Sequence, residues 1–327
     1  MSYSFGVEIE LIARPLDIQH PFPRRVYYRK LAESVNLQGG SAIADQLDGS
    51  RYRKHPEHYD KWWITKDSSL GGPEYPRIPV EVVSPTLSAP GNWEDEVNMF
   101  WGAFANVFRL PDEPELCGCH IHVSLAPSGT FSLPELKKIA IGVVLYEPLI
   151  HHLLPLCHQD NKYCPQNTLR SQILKYVMES ADGWSGDTIY DCVGLKIYDK
   201  QELGDFMQKG PSDSTDRHPL WNFDNILPDQ SGTVKFRGGH ELRGPKETLK
   251  WISFVLSFIH LCSKENISWQ IAQCGLYNEG IPQLSMSLFW RDITEAARSV
   301  KVGQHLPSDW RDMGGSSAQS RRDDGGN

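Results

Sequence analysis

The chain opens on strict alternation. Phe5, Val7, Ile9 and Leu11 are apolar, with Gly6, Glu8 and Glu10 between them, so residues 3–11 are predicted to form a strand with one apolar face. A helical period follows at 24–36, where Tyr27, Leu31 and Val35 recur every fourth residue. Residues 37–60 lack any period and read as a loop. Residues 61–70 read as a strand entering a turn at Gly71-Gly72-Pro73. With a second strand at 78–85 they predict a hairpin, with Asp67 near one end and Glu81 on the return strand.

Farther on, Trp93, Val97, Phe100, Trp101, Phe104 and Phe108 recur at three and four, predicting a helix over 92–108 whose aromatic stripe is core. Residues 117–124 alternate again, with His120 and His122 on one face and Ile121 and Val123 on the other. Ser132 and Glu135 form a capping box around Pro134, opening a helix that runs to Leu145 or beyond, until Pro148 and Pro155 bend or end it. A polar loop at 158–165 precedes a helix at 168–180. Residues 182–219 are weakly patterned, with Asp199 and Glu202 capping a short helix. Strands are expected at 220–223 and 233–239, and helices at 246–264 and 292–300. From 310 to 327 nothing can be buried, which reads as a disordered tail after a single domain of 1–309. No internal repeat is visible.

Composition narrows the function. A chain of 327 residues is long enough for a substantial core. A net charge of −8 supplies no basic field for a nucleic acid or an anionic membrane. With no membrane-length apolar run and no leader pattern, the expected setting is cytoplasmic. The seven cysteines are scattered and odd in number, which reads as buried free thiols; Cys117-Gly118-Cys119 lacks the second cysteine pair of a zinc site.

The chemistry lies in the paired polar residues. Two residues apart on a strand, Glu8 and Glu10 share a face at a separation of roughly 6.5–7 Å. Such a pair is either a solvated face met by Lys or Arg, or a site for a hard divalent cation such as Mg²⁺ or Mn²⁺. His120 and His122 are either ordinary polar residues or metal and phosphate ligands. Lys235 and Arg237 share a face of the 233–239 strand. They fit an exposed edge kept soluble by charge, or a phosphate clamp.

The order of these elements resembles the amidoligase family, a branch of the glutamine synthetase and glutamate-cysteine ligase superfamily. The resemblance rests on the Glu8-x-Glu10 strand, the Lys66-Asp67-Ser68-Ser69 turn, the Glu81-Val-Val-Ser84-Pro85 strand, the Cys-Gly-x-His120-x-His122 strand, and Phe236-Arg237 before a long helix; it covers about residues 3–265. It implies an α+β fold, with a curved, mainly antiparallel sheet of glutamine synthetase-like type and helices on its convex face. It also implies an ATP- and Mg²⁺-dependent ligase that phosphorylates a small-molecule or peptide carboxylate and passes the acyl group to an amine. Carried over by position, Glu8, Glu10 and Glu81 hold metal, and His120 sits by metal and phosphate with His122 beside it. Arg237 neutralises the phosphoryl group. Asp67, Ser69 and Asn222 position nucleotide or substrate. Related ligases often complete their sites across subunits, which leaves a homo-oligomer open.

Two departures stand out. The family strand normally reads Glu-Phe-Arg, and this chain has Lys235 at the glutamate position. A charged lysine cannot ligate Mg²⁺. Either Lys235 replaces an ion's charge against phosphate, or Glu241 supplies the missing carboxylate, or the chain is a non-catalytic descendant that binds a nucleotide or small acid. The loop at 158–165 also lacks the family's arginines. A third reading is a phosphotransferase, such as a guanidino kinase, on a related sheet.

Overall fold

The computed structural model describes residues 1–18, 22–45, 59–67, 69–110, 118–127, 129–154, 164–179, 186–210, 219–239, 242–264 and 286–314. The architecture is α+β, a mixed and mostly antiparallel open sheet with nine α-helices among the described residues. The chain divides into two compact units. One comprises Ser2–His122 and Gly239–Ile252; the other comprises Val123–Gly238, the chain from Ser253 onward, and Met1.

The first unit is organised by its opening strand. β1 (Tyr3–Pro15) lies between β4 (Ile78–Val83) and β7 (Gly118–Leu125) in the order β2-β3-β4-β1-β7. β2 is Ala42–Ala44 and β3 is Trp62–Thr65. β5 (Leu87–Ala89) and β6 (Phe108–Arg109) pair antiparallel with the two ends of β1. β3–β4 and β4–β1 are antiparallel, whereas β2–β3 is parallel, so the sheet is mixed.

Helices α1 (Arg24–Leu37) and α2 (Trp93–Ala105) cover the face that carries Phe5, Val7, Ile9 and Leu11. Phe5 meets Trp93 edge-on with ring centroids 5.5 Å apart, and Trp62 stacks on Phe100 at 4.3 Å. The Tyr28 hydroxyl donates to the Pro79 carbonyl, and the Trp62 indole N–H donates to Glu96 Oε1 at 2.7 Å. Each fully buried apolar side chain of that face contributes about 1.5–3 kcal/mol. This drive fixes the pleat and leaves Glu8 and Glu10 on the side away from α1 and α2.

The second unit holds α3 (Leu133–Leu153), α4 (Asn167–Arg170), α5 (Gln172–Met178), α6 (Gly186–Lys196), α7 (Lys200–Gln208) and β8 (Trp221–Asn222). It also holds most of β9 (Val234–Gly239), the later part of α8 (Pro245–Ser263), and α9 (Met286–Ser299). Its core is aromatic. Trp221 packs on Phe236 and on Phe258, each at 4.8 Å, and Tyr146 stacks on Phe289 at 5.1 Å.

Several expectations change. The helix expected over 92–108 ends at Ala105, because Phe108 enters β6 opposite Pro15. α3 runs through Pro148 to Leu153. A proline in a helix interior costs about 3 kcal/mol, and here the helix is buried on most of its circumference. The helix expected at 168–180 is two, because the Ser171 hydroxyl accepts from Leu174 N and starts α5 afresh. Order extends past 309, with a 3-10 turn at Trp310–Asp312 and a buried Met313; residues 315–327 lie outside the described residues. Among the described residues no helix is long and apolar enough to cross a membrane. Cys119, Cys164, Cys192 and Cys262 are free thiols.

Candidate functional site

In the first unit, the polar face of β1 meets that of β7. Glu8 and Glu10 project beside His120 and His122, each pair two residues apart and therefore on one side of its strand. His120 Nδ1 lies 2.9 Å from Glu8 Oε2 and 3.3 Å from Glu10 Oε1, and His122 Nε2 lies 2.9 Å from Glu8 Oε1. Glu8 thus holds one imidazole on each oxygen. Glu8 is 5 % exposed and His120 8 %, so these groups face protein rather than bulk water.

Register adds Glu81. It stands opposite Glu10 in the β1–β4 pair and opposite Thr65 in the β3–β4 pair, at 3 % exposure. Thr65 Oγ1 in turn donates to Asp45 Oδ2 at 2.9 Å. Asp45, Thr65, Glu81 and Glu10 therefore line up across the sheet toward His120. The acidic field reaches α1. Burial pushes the Tyr28 hydroxyl above its usual pKa, with Asp45 and Glu81 acting in the same direction and Arg24 against them.

Glu8, Glu10 and His120 each offer a ligand atom, all within 4.8 Å of one another, a group able to hold a metal ion. The donor set fits a divalent cation. Carboxylates suit Mg²⁺ or Mn²⁺, and the imidazole favours a metal that tolerates nitrogen, as Mn²⁺ does. When Nδ1 of a neutral His120 donates to Glu8, Nε2 keeps its lone pair, the arrangement by which a carboxylate orients a metal-binding histidine. The backbone leaves room as well: a Cβ on Gly118 would lie 3.2 Å from Glu10 Oε2 and 3.8 Å from His120 Nε2.

The other expected site residues are Asp67, Ser69, Asn222, Lys235, Arg237 and Glu241. Ser69 donates to Asp67 from both its backbone N–H, at 2.9 Å, and its hydroxyl, so this pair closes a local turn. In the second unit, Asn222 and Lys235 are direct partners across β8–β9, at 3 % and 4 % exposure. Lys235 is therefore not the solvated charge of an exposed edge strand; that reading is corrected. Asn222 Oδ1 also accepts from Asp224 N at 2.9 Å. Arg237, half-buried, follows two residues after Lys235 on β9, and its backbone N–H donates to Leu220 O. Glu241 and residues 158–163 of the loop expected at 158–165 lie outside the described residues. Asp45 and Thr65 carried no sequence signal, since each becomes relevant only through strand pairing, whereas Gly118 stood in the Cys-Gly-x-His120-x-His122 motif.

An α+β sheet that gathers two glutamates and two histidines on one sheltered strand face defines a protein built around a buried carboxylate–imidazole centre. A family model described as "putative amidoligase enzyme" matches residues 1–257, and the chain belongs to that family. Membership points to ligase-type chemistry. No curated protein matches the chain.

Proposed function

We propose that the protein is an ATP- and divalent-metal-dependent ligase that joins a carboxylate to an amine. The observation that carries this reading is the Glu8–Glu10–His120 group, three ligand atoms within 4.8 Å on the polar face of β1 and β7 in a member of the amidoligase family. In this reading a carboxylate oxygen of the acid substrate takes the γ-phosphoryl group of ATP and ADP departs. The amine nitrogen then bonds the acyl carbon, and phosphate leaves as the amine gives up a proton.

Glu8, Glu10 and His120 would hold the metal, and Glu81 extends the acidic row behind them. A bound divalent ion would neutralise phosphate oxygens. Glu8 fixes both imidazoles in place, so His120 needs no reorganisation when a ligand arrives. His122, Asp67, Ser69 and Asn222 belong to this reading as positioning groups, and Lys235 and Arg237 as cations for phosphoryl oxygen. All but Lys235, which stands where the family strand has glutamate, enter through the family resemblance. The glutamine synthetase-like character of the sheet and a cytoplasmic setting belong to the same proposal.

The test is Mg²⁺- or Mn²⁺-dependent ADP release across a panel of small carboxylates paired with amines, with the amide identified by mass. Metal-dependent ADP release with an amide product supports the ligase. Release with a phosphorylated acceptor and no amide marks a phosphotransferase instead.

A second reading is favoured by one observation, the buried lysine at 235 where the family strand normally has glutamate. There the protein is a non-catalytic binder of nucleotide or small acid. Calorimetry with a non-hydrolysable ATP analogue separates the two readings. The ligase binds it with Mg²⁺ and loses it in Glu10→Gln; the binder takes it with little metal dependence and releases no ADP.

A further inference from the structure

In the second unit, a buried polar chain lies beside the Asn222–Lys235 pair. β8 is only two residues long, and pairing with β9 satisfies one side of it. Its other side meets a side chain in place of a strand. Asn167 Oδ1 accepts from Trp221 N at 2.9 Å, while Asn167 Nδ2 donates to Trp221 O at 2.7 Å and to Met207 O at 3.1 Å. Asn167 is itself held by Glu147 of α3, whose carboxylate accepts from Asn167 N at 2.6 Å, Thr168 N at 2.9 Å and Thr168 Oγ1 at 2.6 Å. One residue beyond Asn222, Gln208 Oε1 accepts from Phe223 N at 2.8 Å. Glu147, Asn167 and Gln208 are all 0 % exposed.

Burying a carboxylate and two amides costs stability unless every group is bonded, and apolar residues of similar volume serve packing as well or better. What this chain supplies that apolar packing does not is direction. It fixes both the N–H and the C=O of Trp221, and so the backbone that carries Asn222 opposite Lys235 in the β8–β9 register. A strand of two residues has too few bonds to hold that alignment unaided.

We propose that Glu147 and Asn167 are positioning residues that fix the Asn222–Lys235 pair by clamping β8 from the side opposite β9. The proposal rests on the ligase reading only in giving that pair a substrate-handling purpose; the alignment can be tested without nucleotide.

The experiment measures the acetylation rate of Lys235 by peptide mass spectrometry in the folded protein. Wild type is compared with Asn167→Asp, which removes the donors to Trp221 O and Met207 O, and with Glu147→Gln. Ile293→Ala, a core truncation in α9, serves as a control of reduced stability. The expected result is Lys235 labelling about tenfold faster in the two network variants, with the control near wild type, because opening is local to β8. Equal acceleration in Ile293→Ala, or a wild-type rate in folded network variants, overturns the proposal. If the two network variants do not fold, Thr168→Val, which removes one of the three donors to Glu147, decides the matter: faster labelling supports the proposal and an unchanged rate refutes it. Failure of ATP to bind wild type would sink the ligase reading and leave this result intact.

Discussion

Glu10 and Glu81 face each other directly across β1 and β4. Cross-strand partners have Cβ atoms about 4.5–5.5 Å apart, and like charges so placed destabilise a sheet. With Glu81 at 3 % exposure, solvent does little to screen the pair. A divalent cation bound beside the two carboxylates would offset their mutual repulsion. Glu81→Gln is expected to raise the metal-free melting midpoint by about 1–2 °C, the shift for about 1 kcal/mol in a chain of 327 residues. It should also weaken Mn²⁺ binding, measured by calorimetry. A lower midpoint together with unchanged Mn²⁺ affinity would show that Glu81 serves the fold and not the ion.

Glu8 and Glu10 differ in their partners, and the difference should be measurable. Glu8 accepts from both histidines at 2.9 Å, whereas Glu10 lies 3.3 Å from His120. Removing one member of a buried charged pair costs about 3–5 kcal/mol. Urea unfolding of Glu8→Gln is expected to show a loss of that order, with Glu10→Gln losing no more than about 1 kcal/mol, the scale of a more exposed ion pair. Equal losses would mean that the two imidazoles are not anchored through Glu8.

Gly118 matters through the space it leaves. In Gly118→Ala the new methyl sits 3.2 Å from Glu10 Oε2, so the carboxylate must shift by a few tenths of an ångström. Affinity for Mn²⁺ is expected to fall roughly tenfold, the scale seen when a ligand's orientation is disturbed, with little change in the melting midpoint. An unaltered affinity would place the ion away from Glu10.

Two groups, buried Glu147 and half-buried His260, give stability a pH dependence of opposite sign. Burial raises the Glu147 carboxyl to about 7 despite the donors from Asn167 and Thr168. Its protonated form is favoured by folding, so its contribution is fully present below its ordinary value and is lost as pH rises toward 7. His260 is lowered to about 4 by burial, then by Lys264 and the chain's amino terminus. Its contribution is present at neutral pH and is lost as pH falls through the range down to 4. Between these limits the two slopes oppose. His260→Gln should expose a decline in unfolding free energy from acidic pH toward 7, and Glu147→Gln should expose a rise. Identical pH profiles for both variants would rule these groups out as the source.

Much of the centre was legible in the sequence, because a period of two assigns faces without further information. Glu8-x-Glu10 and His120-x-His122 each announced a polar side in a strand with an apolar other side, and both pairs meet. The capping box of Ser132 and Glu135 is present as read, with Ser132 N donating to Glu135 Oε2 at 2.8 Å. What stayed hidden depends on pairing. β5 and β6 are three and two residues long, too short to show alternation, and exist because β1 offers them its ends. Asp45 needed the parallel β2–β3 register to come near Thr65. Glu147 carries no periodic signal within α3, and its partners, Asn167 and Thr168, come from α4.

β1 is synthesised before each of the strands assigned to it, β4, β5, β6 and β7. Between Pro15 and Ile78 the ribosome must add α1, β2 and β3, which takes several seconds at about 5–20 residues per second. Throughout that interval Phe5, Val7, Ile9 and Leu11 form an adhesive ribbon with no sheet to join. Glu8 and Glu10, set between them, keep the nascent segment charged and discourage it from pairing with another copy of itself. The same two carboxylates would then guard the chain during its making and hold the ion once it is made.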